Sequence, residues 1–131
     1  MNKNIIDPAG HIIIAVKNIK ESKQFYTKIF TKLSIKKIAE RETAWEILPG
    51  FCLWIKQAQH PNYSYKFHAP GLHHICIKVK SKKAVDEFYT FLLQQKVLIY
   101  DLPKAYPKYT KNYYAVFFAD PDGIKLEVAY Y

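Results

Sequence analysis

The run His11-Ile-Ile-Ile-Ala-Val16 returns 63 residues later as His74-Ile-Cys-Ile-Lys-Val79. A chain of 131 residues that repeats itself once in this way must build two similar supersecondary units. At the same offset Phe25-Tyr26-Thr27 falls on Phe88-Tyr89-Thr90. Each triplet sits in a segment of helical apolar spacing: Phe25, Ile29 and Leu33 in the first copy, Val85, Phe88 and Leu92 in the second. Each copy therefore opens with a strand and then a helix. Residues 43–48 and 113–119 read as strands, and residues 51–55 align with 124–128 through Gly50 and Gly123. By then the offset has grown to 73, which places ten added residues around 101–112, a stretch rich in Pro, Tyr and Lys that reads as the long loop of the second half. Pro61, Asn62, Ser64, Pro70 and Gly71 mark a linker. The expected organisation is one domain over 1–131, with module one at about 9–57, linker at about 58–71 and module two at about 72–131.

Each half is then β-α-β-β-β, and the period of two divides its strands into faces. His11, Ile13 and Ala15 oppose Ile12, Ile14 and Val16; His74, Cys76 and Lys78 oppose Ile75, Ile77 and Val79; Lys125, Glu127 and Ala129 oppose Ile124, Leu126 and Val128. The aliphatic faces should carry the helices, whose apolar stripes need cover. The mixed faces should line the concave side of a curved sheet.

Half of the residues are apolar, which supports a packed core. The net charge of +9 raises the question of nucleic acid, but Arg41 is the only arginine and the lysines are scattered, so no nucleic-acid partner is expected. The first ten residues hold Asp7 and Pro8 and no long apolar run, so neither a leader nor a membrane span is expected and the location expected is cytoplasmic. Cys52 and Cys76, both in apolar strand runs, read as reduced, buried thiols.

On the mixed faces His11, His74 and Glu127 occupy equivalent strand positions. Two neutral imidazoles and a carboxylate are the donor set for one divalent metal ion, with zinc, iron(II), manganese, nickel and cobalt all chemically suitable. A carboxylate placed between Leu126 and Val128 is costly to bury unless it is paired or holds a cation.

These residues, with Phe118-Ala119-Asp120-Pro121-Asp122-Gly123-Ile124-Lys125-Leu126-Glu127, resemble the vicinal oxygen chelate superfamily. That superfamily includes glyoxalase I, bleomycin-resistance proteins, fosfomycin-resistance enzymes and extradiol dioxygenases. The resemblance implies an α+β fold of two βαβββ modules forming a U-shaped, partly open eight-stranded sheet with helices on the convex face. It implies metal ligands at His11, His74 and Glu127. Trp54 occupies the fourth ligand position and cannot ligate, which departs from the glyoxalase I pattern. His73, beside the matching position, is expected to point to the other side. The implied activity is a metalloenzyme acting on a small oxygen-rich or anionic substrate by isomerisation, addition or dioxygenation. Glu127, Tyr109 and Tyr114 are its candidate catalytic residues, and Trp54, Cys52, Cys76, Lys125 and Tyr113 line its cavity. The alternative is a non-catalytic binding protein of the bleomycin-resistance type. A homodimer is expected from the way such modules pair.

Overall fold

The computed structural model describes residues 9–38 and 41–131, so most of the segment read for a leader lies outside it. Its elements are β1 (Gly10–Val16), α1 (Ile19–Lys32), β2 (Lys36–Lys37), β3 (Ala44–Leu48), β4 (Phe51–Gln57), β5 (Ile75–Lys78), α2 (Lys82–Gln94), β6 (Ile99–Ala105), β7 (Tyr114–Ala119) and β8 (Lys125–Tyr130). They form two compact units, Met1–Tyr63 and Ser64–Tyr131, each a βαβββ module. No helix among the described residues is long and apolar enough to cross a membrane.

In the first unit the strand order is β1-β4-β3-β2, with β1 parallel to β4 and the other pairs antiparallel. Asn18 caps α1 by accepting from the N–H groups of Lys20 and Glu21, which satisfies two of the first-turn donors. The helix buries Tyr26, Ile29 and Phe30, and the Tyr26 and Phe30 rings meet Trp45 of β3. Phe25, expected in the apolar stripe, is only half-buried; Tyr26 takes the core position beside it. Ile14, Val16, Leu53 and Ile55 complete the core, so β1 and β4 turn their aliphatic faces inward as their alternation requires.

The second unit repeats the plan in the order β5-β8-β7-β6. Ser81 caps α2, which starts 63 residues after α1 but is one residue shorter. Val85, Phe88 and Leu92 are buried, and the Phe88 ring meets Phe118 of β7 at 5.6 Å. The sheet face that carries Val116, Phe118, Leu126 and Val128 is fully buried.

The stretch at 101–112 is not all loop. β6 runs through Ala105, and only residues 106–113 connect it to β7. Pro103, which reads as a strand breaker, is accommodated because β6 is an edge strand and the ladder slips register between Asp101 and Lys104. At the β7–β8 turn, Asp120 accepts from the N–H groups of Asp122 and Ile124 at 2.8 Å, and Gly123 takes φ +82°, a left-handed conformation that favours glycine.

Candidate functional site

Glu127 lies in the middle of β8 on the face opposite Leu126 and Val128, and its side chain is 1% exposed. Its cross-strand neighbours are Cys76 on β5 and Phe117 on β7. Ala115, Phe117 and Ala129 share that face, with Tyr106 and Tyr113 packed against them. A carboxylate sunk among such neighbours needs compensation. Half of it is supplied by Tyr113, whose hydroxyl donates to Oε1 at 2.5 Å. The other oxygen, Oε2, is buried and has no hydrogen-bond partner among the described residues. The His74 Nε2 atom is only 2.9 Å from it, but off the line an N–H would need.

The Nδ1 atom of His74 lies 2.7 Å from Nδ1 of His73. This corrects the expectation that His73 points away. β5 begins only at Ile75, so strand alternation does not reach back to the histidine pair. Tyr65 fixes the backbone there, its hydroxyl lying 2.9 Å from the carbonyl of Leu72 and 2.7 Å from that of His73. Phe67 meets the His73 ring edge-on, and the Lys125 ammonium sits 4.6 Å from both the Phe67 and Phe117 ring centres. Loss of solvent, together with His74 and Lys125, holds the His73 imidazole below its usual pKa.

The electrostatics of the pocket favour neutral donors around Glu127. Cys76, expected to be buried, is exposed as a residue; desolvation of its sulfur first, and the Glu127 charge second, push the thiol up to about 12. Burial and the hydrogen bond to Glu127 raise the Tyr113 phenol as well. Both groups therefore keep their protons at neutral pH.

The tyrosines divide differently from the expectation. Tyr114 sends its hydroxyl to Oδ1 of Asp86 on α2, at 2.8 Å, on the helix-covered side of the sheet and away from Glu127. Its neighbour Tyr113, expected to line the cavity, is the one that reaches Glu127. Tyr109 is exposed, stacked on Tyr106 at 5.5 Å and edge-on to Tyr113 at 5.1 Å, one layer away from the carboxylate. Tyr131 stacks on Tyr113 at 4.7 Å. Phe117, Tyr131 and the contact of His73 with His74 were not anticipated; the doubled histidine was the one signal in the sequence.

In the first unit His11 is exposed and stacks on Trp54, with ring centres 5.4 Å apart. The parallel register pairs His11 with Cys52 and Ile13 with Trp54, which makes His11 and Trp54 diagonal neighbours on one face. The Arg41 guanidinium lies 4.9 Å from the Trp54 ring centre. Cys52 is half-buried on the same face. Among the described residues no group of three His, Cys, Asp or Glu side chains is close enough together to hold a metal. His74 and Glu127 do form a pair.

That pair fits a divalent cation on its own chemistry. Two donors each about 2.1 Å from one cation and at right angles are about 3.0 Å apart, close to the separation of Nε2 and Oε2. A cation there gives a partner to the buried oxygen that makes no hydrogen bond among the described residues.

A family model described as the Glyoxalase/Bleomycin resistance protein/Dioxygenase superfamily matches residues 9–128. No curated protein matches. Among solved structures, a candidate glyoxalase from Bacillus halodurans is 22% identical, with 95% of this chain and 96% of that chain covered and a TM-score of 0.77. The fosfomycin resistance protein FosX of Listeria monocytogenes is 18% identical over 97% and 95% of the two chains, with a TM-score of 0.68. Lactoylglutathione lyase of Agrobacterium tumefaciens is 17% identical over 97% and 96%, with a TM-score of 0.66. At these identities the structures share the fold of paired βαβββ modules.

Proposed function

The chain belongs to the Glyoxalase/Bleomycin resistance protein/Dioxygenase superfamily, and from that membership we propose that it is a metal-dependent enzyme acting on a small oxygen-rich or anionic molecule. The observation that carries this reading is the buried Glu127 carboxylate, one oxygen held by Tyr113 and the other unpaired beside Nε2 of His74. His74 and Glu127 are its ligands in the second unit, and His11, the equivalent first-strand histidine of the repeat, is the third candidate. Zinc, iron(II), manganese, nickel and cobalt all suit this donor set. When bound, the metal supplies Lewis acidity toward neighbouring substrate oxygens.

The chain's own residues do the rest. Tyr113 occupies Oε1 of Glu127 with its proton, which leaves Oε2 as the ligating oxygen and holds the carboxylate in one rotamer. Phe117, Tyr106 and Tyr113 wall the carboxylate with rings, and Tyr109 and Tyr131 stack behind them. Lys125, two residues before Glu127 on the same face, brings a positive charge that favours an anionic substrate. The reaction is an isomerisation, addition or dioxygenation. The lyase and fosfomycin-resistance names among the fold neighbours lend support to the first two.

The test is elemental analysis of protein purified without chelator, alongside His74→Ala and Glu127→Ala, followed by activity screening of the metal-loaded protein against thiol–electrophile and catechol panels. Stoichiometric metal in both variants would sink the reading. A second reading, a binding protein of the bleomycin-resistance type, is favoured by the Trp54 ring stacked on His11 with Arg41 over it, a surface suited to a flat ligand. Ligand binding without metal and without turnover distinguishes it.

A further inference from the structure

The contact between the two adjacent histidines determines which nitrogen of His74 carries its proton. Nδ1 of His73 and Nδ1 of His74 are 2.7 Å apart, a hydrogen-bond distance that requires one proton between them. With His74 neutral, as a metal ligand must be, there are two ways to place it. If His73 donates, neutral His74 must carry its own proton on Nε2. In that case Nε2, 2.9 Å from Oε2 of Glu127, carries a hydrogen and has no lone pair to offer a cation, while the buried Oε2 stays without a hydrogen-bond partner. If His74 donates, its Nε2 keeps a lone pair next to Oε2, and a single cation satisfies both atoms.

We propose that His73 is a positioning residue, its Nδ1 accepting the Nδ1 proton of His74 so that the His74 ring is held as the tautomer whose Nε2 is free to ligate. The inference rests on the reading of His74 and Glu127 as metal ligands. His73 is itself held at two points, backbone and ring, and Phe67, which holds the ring, is backed in turn by Lys125. Its carbonyl lies 2.7 Å from the Tyr65 hydroxyl, its ring lies edge-on to Phe67, and the Phe67 ring carries the Lys125 ammonium on its face. The exposed position of His73 leaves its own Nε2–H to solvent, so accepting at Nδ1 strands no donor.

The tautomer is read directly from the ring-nitrogen chemical shifts of His74 in chelator-treated full-length protein at neutral pH. A protonated Nδ1 and an unprotonated Nε2 are expected; the reverse assignment, or protons on both nitrogens, overturns the proposal whether or not metal binds. The second measurement is calorimetric titration of manganese(II) and zinc(II) into wild type, His73→Ala, His73→Asn and His74→Ala. Removing the acceptor should weaken binding by about 10–100-fold, and Asn, whose side-chain carbonyl can accept the same proton, should recover most of that loss. Equal affinity in His73→Ala and wild type overturns the positioning role. Undiminished binding by His74→Ala overturns the ligand reading instead, while the shifts decide the tautomer separately.

Discussion

The Tyr113 hydroxyl donates a 2.5 Å hydrogen bond to Oε1 of Glu127, joining the end of the 106–113 loop to the middle of β8. This bond holds half of a carboxylate that the sheet otherwise surrounds with apolar groups. Tyr113→Phe keeps the ring and its stacking on Tyr131 but strands Oε1 as well. Urea denaturation of the metal-free variant should show a loss of about 1–3 kcal/mol, the cost of a buried group left without its partner. A loss below about 0.5 kcal/mol would show that the bond does not hold the carboxylate.

Glu127→Gln should act in the opposite direction on the metal-free protein. It replaces a buried charge that has one unpaired oxygen with a neutral amide of the same shape. A gain of about 1 kcal/mol in metal-free stability is expected from the lower cost of burying a neutral polar group. Manganese or zinc at a hundred times its Kd should stabilise wild type by about 2.7 kcal/mol and the variant far less. Thermal denaturation with and without metal measures both; equal metal stabilisation in the two proteins contradicts the ligand role of Glu127.

Alkaline pH should weaken the fold through Cys76. Its thiol is raised from the ordinary 9.0 to about 12, by desolvation first and by the Glu127 charge second. The folded state therefore holds a proton that the unfolded chain gives up sooner. The associated stability is fully present below about pH 9 and is lost progressively as pH rises toward 12. Tyr113, raised in the same sense, adds to the loss at the upper end. Denaturation midpoints measured between pH 8 and pH 10.5 in wild type and Cys76→Ser should diverge, the variant falling less steeply; parallel curves would remove Cys76 from the account.

The two tryptophans should behave as different kinds of residue. Trp45 is 1% exposed between Tyr26 and Phe30, and Trp45→Ala should cost about 3–5 kcal/mol as a large core truncation. Trp54 is half-buried on the face of His11, and Trp54→Phe should stay within about 1.5 kcal/mol of wild type. Acrylamide should quench the fluorescence of Trp45→Phe, where Trp54 alone emits, more strongly than that of Trp54→Phe. The opposite order would place Trp54 in the core and overturn the register of β4.

The repeat of His11 at His74 and of Phe25-Tyr26 at Phe88-Tyr89 in the sequence establishes two βαβββ modules, because local periodicity is written residue by residue into each strand and helix. The same periodicity puts Glu127 opposite Leu126 and Val128, and His11 on the face of Trp54. Tertiary structure alone decided which side chains meet there. In the pair Tyr113-Tyr114 the parity of the strand is open until β7 is registered against β8, with Phe117 opposite Glu127, and only then does Tyr113 fall on the carboxylate and Tyr114 on Asp86. His73 turns toward His74 because β5 starts two residues later, a boundary that alternation along the strand does not locate. The orphaned oxygen of Glu127 could not be read from the sequence at all, since whether a buried carboxylate is satisfied depends on every donor that the folded chain brings, or fails to bring, within reach of it.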